Sequence, residues 1–416
     1  MKSPFTQNTS LFKTKEPFDD TFVPPDIWGR DQELQKYINA LQDIVDGFAP
    51  PNILVYGETG LGKTVATKYV LNLLRDKLAE TSRTLSVLEV DCNKNDSTYR
   101  VLRYLADELN EKSYTQGHSR SELWDVVYDG LDARGGTILF VFDGLENLDP
   151  DTDLLYELPR ARGLNELENA HLGIIGIATD PQYPDQLSLR IRQNLNATNI
   201  NFTPYDASDL RAILDYHCDL AFKDGVVNDD VVPLAAALTA QATGDARTGL
   251  TLLETAGDLA QTKGADTVTR SHVEHARTEA ESRTVENIFF TDLTTQHRLL
   301  FLSVMRLNLL TDDAAAFDDV VSQYKEYCTR ADTDSLSPRR LRDLLKVLLE
   351  KGFIDRDEYN AGPGGGRWNT YSIIVSPSTI LDAIERRDAH LEQVIAADKR
   401  KLKRTAKKNE QDQRFV

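Results

Sequence analysis

Residues 57–64 constrain the fold of this chain more than any other segment. They read Gly-Glu-Thr-Gly-Leu-Gly-Lys-Thr, follow an apolar run at 53–56, and fit the pattern G-x-x-x-x-G-K-[ST]. Glycines let backbone N–H groups close around an anion, and the start of the following helix adds the positive end of its dipole. A strand, this loop and a helix in succession predict a phosphate-binding turn in a parallel sheet.

The same segment supplies most of the residues expected to bind a nucleotide. Lys63 offers a cation to the β- and γ-phosphates, and Thr64 offers a hydroxyl to Mg²⁺. Asp143 ends the apolar run at 138–142, where a carboxylate can hold the hydration shell of Mg²⁺. We therefore predict ATP or ADP with Mg²⁺ as the cofactor, and the metal held through Thr64 and Asp143. The expected nucleotide-binding residues in the loop are Gly57, Thr59, Gly60, Leu61, Gly62, Lys63, Thr64 and Val65.

The residue after Asp143 makes it uncertain from the sequence whether the bound nucleotide is hydrolysed. A glutamate that activates water is expected there, but the position is Gly144, and Glu146 follows two residues later. The sequence therefore predicts binding, and it allows either weak ATPase activity or none.

Apolar runs divide the chain into domains. The runs at 53–56, 85–90, 138–142 and 172–178 alternate with helical patterns, which predicts a doubly wound α/β domain. After about residue 206 the pattern is helical. We expect an extended segment at 1–30, a nucleotide-binding domain at 31–203, a helical lid at 204–290, a third domain at 295–386 and a charged tail at 387–416.

The third domain has the pattern of a winged helix. A helix is predicted at 317–330, and a second one begins after Ser337 and Pro338 and runs to about residue 350. Its leucines form one apolar stripe, and its basic residues lie on the opposite face, as in a helix that enters the major groove. The alternative is a solvated helix or a protein-binding winged helix. The residues expected to contact DNA are Arg339, Arg340, Arg342 and Lys346 in this helix and Arg367 in the glycine-rich turn after it.

The charge of the chain indicates a saline environment. Of its 66 acidic residues 43 are Asp, only 19 of its 48 basic residues are Lys, and the net charge is −18. Short carboxylates retain water, and strong salt screens their repulsion, so we expect a halophilic source. The absence of a long apolar run or a secretory signal predicts a cytoplasmic protein without membrane partners. The run 399–408 is basic, and either it contacts phosphates without regard to sequence or it has no partner.

Several segments together resemble one family. They are FVPPDIWGRDQEL, NILVYGETGLGKT, INFTPYDASDLRAIL and GDARTGLTLLETAGDLA, and the resemblance covers roughly residues 10–385. The chain resembles the archaeal origin-binding initiators, AAA+ proteins related to the eukaryotic origin-recognition complex and cell-division-control loader. The resemblance implies an AAA+ P-loop core with an all-α lid and a C-terminal winged helix. It also implies double-stranded origin DNA and the replicative helicase as partners.

The resemblance assigns three further residues to the nucleotide. Tyr205 would lie near the adenine, Arg247 would reach the γ-phosphate from the lid, and Arg190 would act as an arginine finger on the nucleotide of a neighbouring subunit. A guanidinium suits these tasks because its planar fork matches phosphate oxygens and stays charged. Self-association on DNA through Arg190 follows from this role. The alternative for both arginines is surface ion pairing.

Three positions depart from the family pattern. Thr179 stands where a polar sensor is usually Asn, Gly144 replaces the usual Glu, and His217 stands where the family often has an Arg beside the nucleotide. The alternative for His217 is a helix-surface or core histidine. These departures predict a divergent member of the family.

The expected function is an ATP-binding replication initiator that recognises origin DNA through its winged helix and its AAA+ domain and helps to load the replicative helicase. The alternative is a DNA-binding regulator that uses nucleotide as a switch and loads nothing. A remodelling chaperone or transposition helper is disfavoured by the winged helix.

Overall fold

The computed structural model describes residues 10–81, 83–110, 117–150, 152–360 and 367–413. The chain divides into two compact units, one up to Ala276 and one from Arg277. In the described residues, no helix has the combination of length and apolar character that a membrane span requires.

A parallel five-stranded sheet forms the centre of the first unit, in the order β2-β3-β4-β1-β5. The strands are β1 Ile53–Tyr56, β2 Leu85–Asp91, β3 Gly136–Asp143, β4 Ala170–Ala178 and β5 Thr198–Asn201. All four predicted strands are present, and β5 is an additional edge strand. The α/β fold predicted for this region is confirmed.

Helices cover both faces of this sheet because successive strand residues point to opposite sides. Ile53 and Val55 of β1 join one buried cluster, whereas Leu54 joins the other. The helices are α1 Asp31–Asp46, α2 Lys63–Ala79, α3 Thr98–Leu109, α4 Arg120–Arg134, α5 Asp153–Glu157, α6 Tyr183–Gln186 and α7 Leu189–Leu195.

The lid is all-helical, as expected. Its helices are α8 Ala207–Ala221, α9 Val231–Ala242, α10 Ala246–Thr262 and α11 Arg270–Asn287, and the boundary between the two units falls within α11. The segment before α1 is packed onto the lid and contains a short 3-10 helix, Glu16–Phe18. Phe12 stacks on Phe222 with ring centroids 4.5 Å apart. The described part of the predicted extended segment, residues 10–30, is therefore packed into the folded unit.

The second unit contains the predicted winged helix. Its helices are α12 Thr295–Thr311, α13 Phe317–Arg330, α14 Pro338–Glu350 and α15 Pro377–Arg387, and its strands are β6 Ala315–Ala316, β7 Ile354–Asn360 and β8 Arg367–Ile373. The strands form an antiparallel sheet in the order β6-β8-β7. Ser337 precedes α14 as predicted, but its side chain makes no capping hydrogen bond.

The region after residue 386 differs from the predicted charged tail. It forms the helices α16 Ala389–Ile395 and α17 Lys399–Gln413. Leu402 and Ala406 are buried in the same core as the winged helix. The run had been interpreted from its charges alone, and two apolar residues four apart are enough to give the helix an inner face.

Candidate functional site

A cavity of about 420 Å³ lies at the carboxyl ends of the parallel strands, the usual place for ligands in such sheets. The phosphate loop, β3, β4, the lid and the N-terminal segment all contribute to its walls. The predicted residues that line it are Thr59, Gly60, Gly62, Lys63, Thr64, Val65, Asp143, Thr179, Tyr205, His217 and Arg247. Gly57 and Leu61 are buried beside it, and Glu146 and Arg190 are not part of its lining.

The phosphate loop is held closed around its lysine. Lys63 Nζ donates hydrogen bonds to the carbonyl oxygens of Gly57 (2.7 Å) and Glu58 (2.6 Å). Burial lowers the pKa of Lys63, and the nearby carboxylates of Glu146 and Asp143 oppose that shift. Gly57 has φ +140°, and a Cβ there would meet the Phe202 carbonyl oxygen at 2.2 Å. The loop therefore needs glycine at position 57. The hydrogen bonds of Lys63 to the loop carbonyls could be replaced by hydrogen bonds to a phosphate.

The predicted metal ligands are in direct contact. Thr64 Oγ1 donates a hydrogen bond of 3.0 Å to Asp143 Oδ2. Burial raises the pKa of Asp143, and this hydrogen bond lowers it again in part. A hydroxyl and a carboxylate at the edge of a phosphate site form a donor set that suits Mg²⁺, which keeps waters and phosphate oxygens as its remaining ligands.

Glu146 and Thr179, two residues with a predicted role in hydrolysis, are hydrogen-bonded to each other. Glu146 Oε2 accepts the backbone N–H of Thr179 at 3.1 Å, and Glu146 Oε1 accepts its hydroxyl. Gly144 has φ +82°, and a Cβ there would lie 3.0 Å from the amide nitrogens of Asn93 and Asn147. The position next to Asp143 is therefore unfavourable for any side chain, which gives a structural reason for the missing glutamate.

The lid touches the phosphate loop directly. The Ala246 N–H donates a hydrogen bond of 3.1 Å to the Gly60 carbonyl oxygen. Asp245 caps α10 by accepting the Thr248 N–H at 2.7 Å, and a Cβ on Gly60 would meet its Oδ1 at 2.4 Å. A displacement of the loop is therefore transmitted to the first turn of α10.

Arg247 is bound by a residue that the sequence did not point to. Its Nε lies 2.9 Å from Asp20 Oδ1, and the two side chains are 54% and 67% exposed. Both residues line the cavity. The N-terminal segment thus places a carboxylate on the arginine expected to reach the γ-phosphate.

A buried arginine was also missed. The Arg30 guanidinium lies 3.6 Å from the Tyr205 ring centroid, and its Nη2 donates to the carbonyl oxygens of Leu61 (3.1 Å) and Thr203 (2.8 Å). Arg30 is only 3% exposed, and its buried positive charge is stabilised by these carbonyl oxygens, by the Tyr205 ring and by Glu33. It links the phosphate loop to the base of the lid. Arg30 lies in the family segment FVPPDIWGRDQEL, but nothing in its local pattern distinguishes it from a surface arginine.

His217 and Arg190 lie in very different surroundings. His217 is buried, and its Nδ1 lies 2.6 Å from the Pro17 carbonyl oxygen. Burial lowers the pKa of His217, so it is neutral near pH 7 and cannot replace the charge of an arginine. Arg190 is exposed, with its guanidinium 3.4 Å from the Tyr156 ring centroid. The arginine-finger role of Arg190 stays a prediction.

Helix α14 presents its basic residues to solvent. Arg339, Arg340, Arg342 and Lys346 are all exposed. The apolar stripe is narrower than predicted, since Leu341, Leu345 and Leu348 are buried while Leu344 and Leu349 are only half-buried. Arg342 lies over the Phe317 ring at 4.4 Å. The Arg367 side chain falls outside the described residues, but its backbone begins β8, and the adjacent Trp368 is 46% exposed.

Three family models match the chain. They are described as an AAA domain (residues 47–183), a Cdc6 AAA+ ATPase-type lid domain (211–278) and a CDC6 C-terminal winged helix domain (290–383). The ORC1-type DNA replication protein 8 of Haloarcula marismortui is 35% identical over 92% of this chain and 88% of the relative. The protein of the same name from Halobacterium salinarum is 34% identical over 93% of this chain and 99% of the relative. The Aeropyrum pernix ORC1 protein, solved in complex with DNA, is 28% identical, with a TM-score of 0.69 over 92% of this chain and 98% of that one.

Proposed function

This chain belongs to the ORC1/Cdc6 family of AAA+ proteins, and from that premise we propose that it is a replication initiator that binds origin DNA under the control of a nucleotide. One observation carries the proposal. Four exposed cations lie on α14 of the winged helix, in a chain whose net charge is −18. Cations retained on one helix of a strongly acidic protein point to a polyanionic partner.

The nucleotide part of the proposal rests on the cavity. Lys63 would bind the phosphates, and Thr64 with Asp143 would hold Mg²⁺, which neutralises phosphate charge when bound. Tyr205 and the apolar residues near it offer a surface for the base. These groups all line one cavity, which supports the proposal, and a phosphate would take over the hydrogen bonds that Lys63 now donates to Gly57 and Glu58.

We infer that the nucleotide acts mainly as a conformational ligand. Gly144 cannot act as a base, and Glu146 is already engaged by Thr179. The contact between Gly60 and Ala246 links the loop to the lid, and Arg247 lies on the same turn of α10. ATP and ADP would therefore set different lid positions even where turnover is slow.

The DNA part assigns base reading to α14. Arg342 and Lys346 lie one turn apart on its exposed face, and arginine or lysine pairs well with the major-groove edge of guanine. Arg339 and Arg340, which are exposed in the first turn, would contact the DNA backbone. The wing formed by β7 and β8, with Arg367 at the turn end of β8, would follow the adjacent groove.

The test is selection of DNA sites by the purified protein in high KCl, with ATP and with ADP. We expect a defined site whose affinity depends on the nucleotide. R342Q should relax the sequence preference and weaken binding by about 1–3 kcal/mol. K351Q is the matched control, because Lys351 is an exposed cation that follows α14 and pairs with Asp292 (2.8 Å). Failure to enrich any sequence would contradict the proposal.

The alternative is a nucleotide-switched regulator without loader activity. It is favoured by the absence of a side chain at Gly144 and by the hydrogen bonds that Glu146 accepts from Thr179. Chromatin precipitation separates the two. Sites at which bidirectional DNA synthesis starts support an initiator, and sites confined to promoters support a regulator. Helicase loading and self-association through Arg190 are further parts of the initiator proposal, and R190A should weaken assembly on DNA without changing the affinity of the isolated protein for nucleotide.

A further inference from the structure

Helix α17 has one strongly basic face, which we call the C-terminal basic face. It consists of Arg400, Lys401, Arg404, Lys407 and Lys408, all exposed. At about 100° per residue these five side chains fall within an arc of about 120°. Leu402 and Ala406, which are buried, occupy the opposite side of the helix. The helix lies beyond the region matched by the winged-helix family model, which ends at residue 383.

The inner lysines of the same helix are fully compensated. Lys399 pairs with Glu385 (2.8 Å) and with Glu392, and Lys403 pairs with Asp382 (2.7 Å) and with Glu385. By contrast, the residues of the C-terminal basic face form no ion pair within the described part of the chain. Among the side chains that the structure describes, carboxylates therefore pair with the two lysines that the fold packs and with none of the outer five cations.

Several of these outer charges are placed unfavourably for the helix. Arg400 and Lys401 lie in its first turn, where the helix dipole disfavours cations. Arg404 is four residues from both Arg400 and Lys408, and like charges at this spacing repel. In a chain with 66 acidic and 48 basic residues, acidic side chains at these positions would have been the favourable choice.

The basic face is also fixed in place. Asp398, directly before α17, accepts a hydrogen bond of 2.8 Å from Arg306 Nε and lies 3.6 Å from Arg330 Nη1. Arg306 belongs to α12 and Arg330 to α13, the helices that carry the winged helix. The start of α17 is therefore tied to the element that precedes α14, and its cations are presented by a folded surface.

We propose that the C-terminal basic face binds the phosphate backbone of double-stranded DNA and so enlarges the DNA-binding surface of the winged-helix unit. The proposal rests on the proposed DNA-binding function. DNA is favoured over an acidic protein because the face belongs to the same folded core as α14, and because a row of cations with no apolar residue among them matches a phosphate chain better than a protein interface. The contacts would be independent of sequence.

The experiment measures binding of the full chain to a mixed-sequence DNA duplex and to its selected site over a range of KCl concentrations. The variant is R400Q/K401Q/R404Q. Each lost phosphate contact makes the slope of log K against log[KCl] less steep by about 0.9, so we expect a change of about 2–3. At about 0.2 M KCl this corresponds to roughly 100-fold weaker binding to both duplexes, and the difference closes toward 1 M.

Two control variants sharpen the result. K36Q/K223Q/K263Q removes the same charge from exposed lysines of the first unit and should leave the slope unchanged. R400K/K401R/R404K keeps the charges and should behave like the wild type. Thermal unfolding confirms that each variant is folded.

Three results would overturn the inference: an unchanged slope in R400Q/K401Q/R404Q, an equal change in the first control, or a loss of self-association in sedimentation with DNA binding intact, which would assign the face to a second protein. If the wild type itself binds neither duplex, the proposed function fails as well, and this outcome differs from all three.

Discussion

Asp20 is expected to compete with the γ-phosphate for Arg247. The pair is 2.9 Å long and its side chains are 54% and 67% exposed, so it contributes no more than about 1 kcal/mol. Replacing Asp20 with Asn frees Arg247 without changing the shape of the segment. We therefore expect D20N to bind ATP up to about 5-fold more tightly, with little change for ADP, because only ATP carries the phosphate that Arg247 is expected to reach.

Calorimetric titration of both nucleotides in moderate and in molar KCl measures this effect. The gain should shrink in molar KCl, where the screening length is only about 3 Å. D19N is the matched control, because Asp19 is the neighbouring exposed carboxylate on the same cavity wall. R247A should cancel the effect of D20N in a double-mutant cycle.

Two outcomes would contradict this prediction for D20N. Equal gains for ATP and ADP, or an equal gain in D19N, would mean that Asp20 acts only through the general negative charge of the cavity. The ion pair would then have no part in distinguishing the two nucleotides.

Three other variants probe the site and the fold. K63A removes the cation of the phosphate loop and should weaken ATP and ADP binding at least about 100-fold by calorimetry, whereas K77A on the same helix should not; unchanged affinity in K63A would refute the site. G144E should show no gain in phosphate release and should lose about 1–2 kcal/mol of unfolding free energy, because φ is +82° there; higher turnover would contradict this. D398N should be about 1–2 kcal/mol less stable than wild type in urea at neutral pH. Arg306 holds the pKa of Asp398 below its usual range, so this difference should vanish as the pH falls through that lowered pKa, and its persistence in acid would refute the pairing.

The sequence was informative where a pattern is local and repeated. The phosphate loop was recognisable because its glycine spacing, after an apolar strand, is what a turn needs to bring backbone N–H groups around an anion. The three inner strands, β1, β3 and β4, carry long apolar runs, and α14 has helical spacing of leucines, so these elements were predicted correctly. Strand β5 was missed because only Ile200 among its four residues is buried, as is typical of an edge strand.

Long-range contacts explain the other differences. Arg30 and Asp20 gain their roles from residues about 170 to 230 positions away, and no local pattern marks either one. The charged region after residue 386 appeared to be a tail because its composition outweighed Leu402 and Ala406. Its inner lysines pair with carboxylates of α15, which the sequence of α17 alone does not contain.

The division of cations between α14 and α17 bears on how such a protein could bind DNA in strong salt. Phosphate contacts lose their counterion contribution as KCl approaches molar concentrations, so the C-terminal basic face would add little affinity there. Base contacts from α14 and the energy of deforming DNA do not depend on released counterions in the same way. We therefore expect that the variant lacking the basic face binds its selected site with a shallow salt dependence that extends to molar KCl. A steep slope of about −0.9 per contact over many contacts, persisting in that variant, would mean that α14 also acts mainly on phosphates and that sequence is read elsewhere.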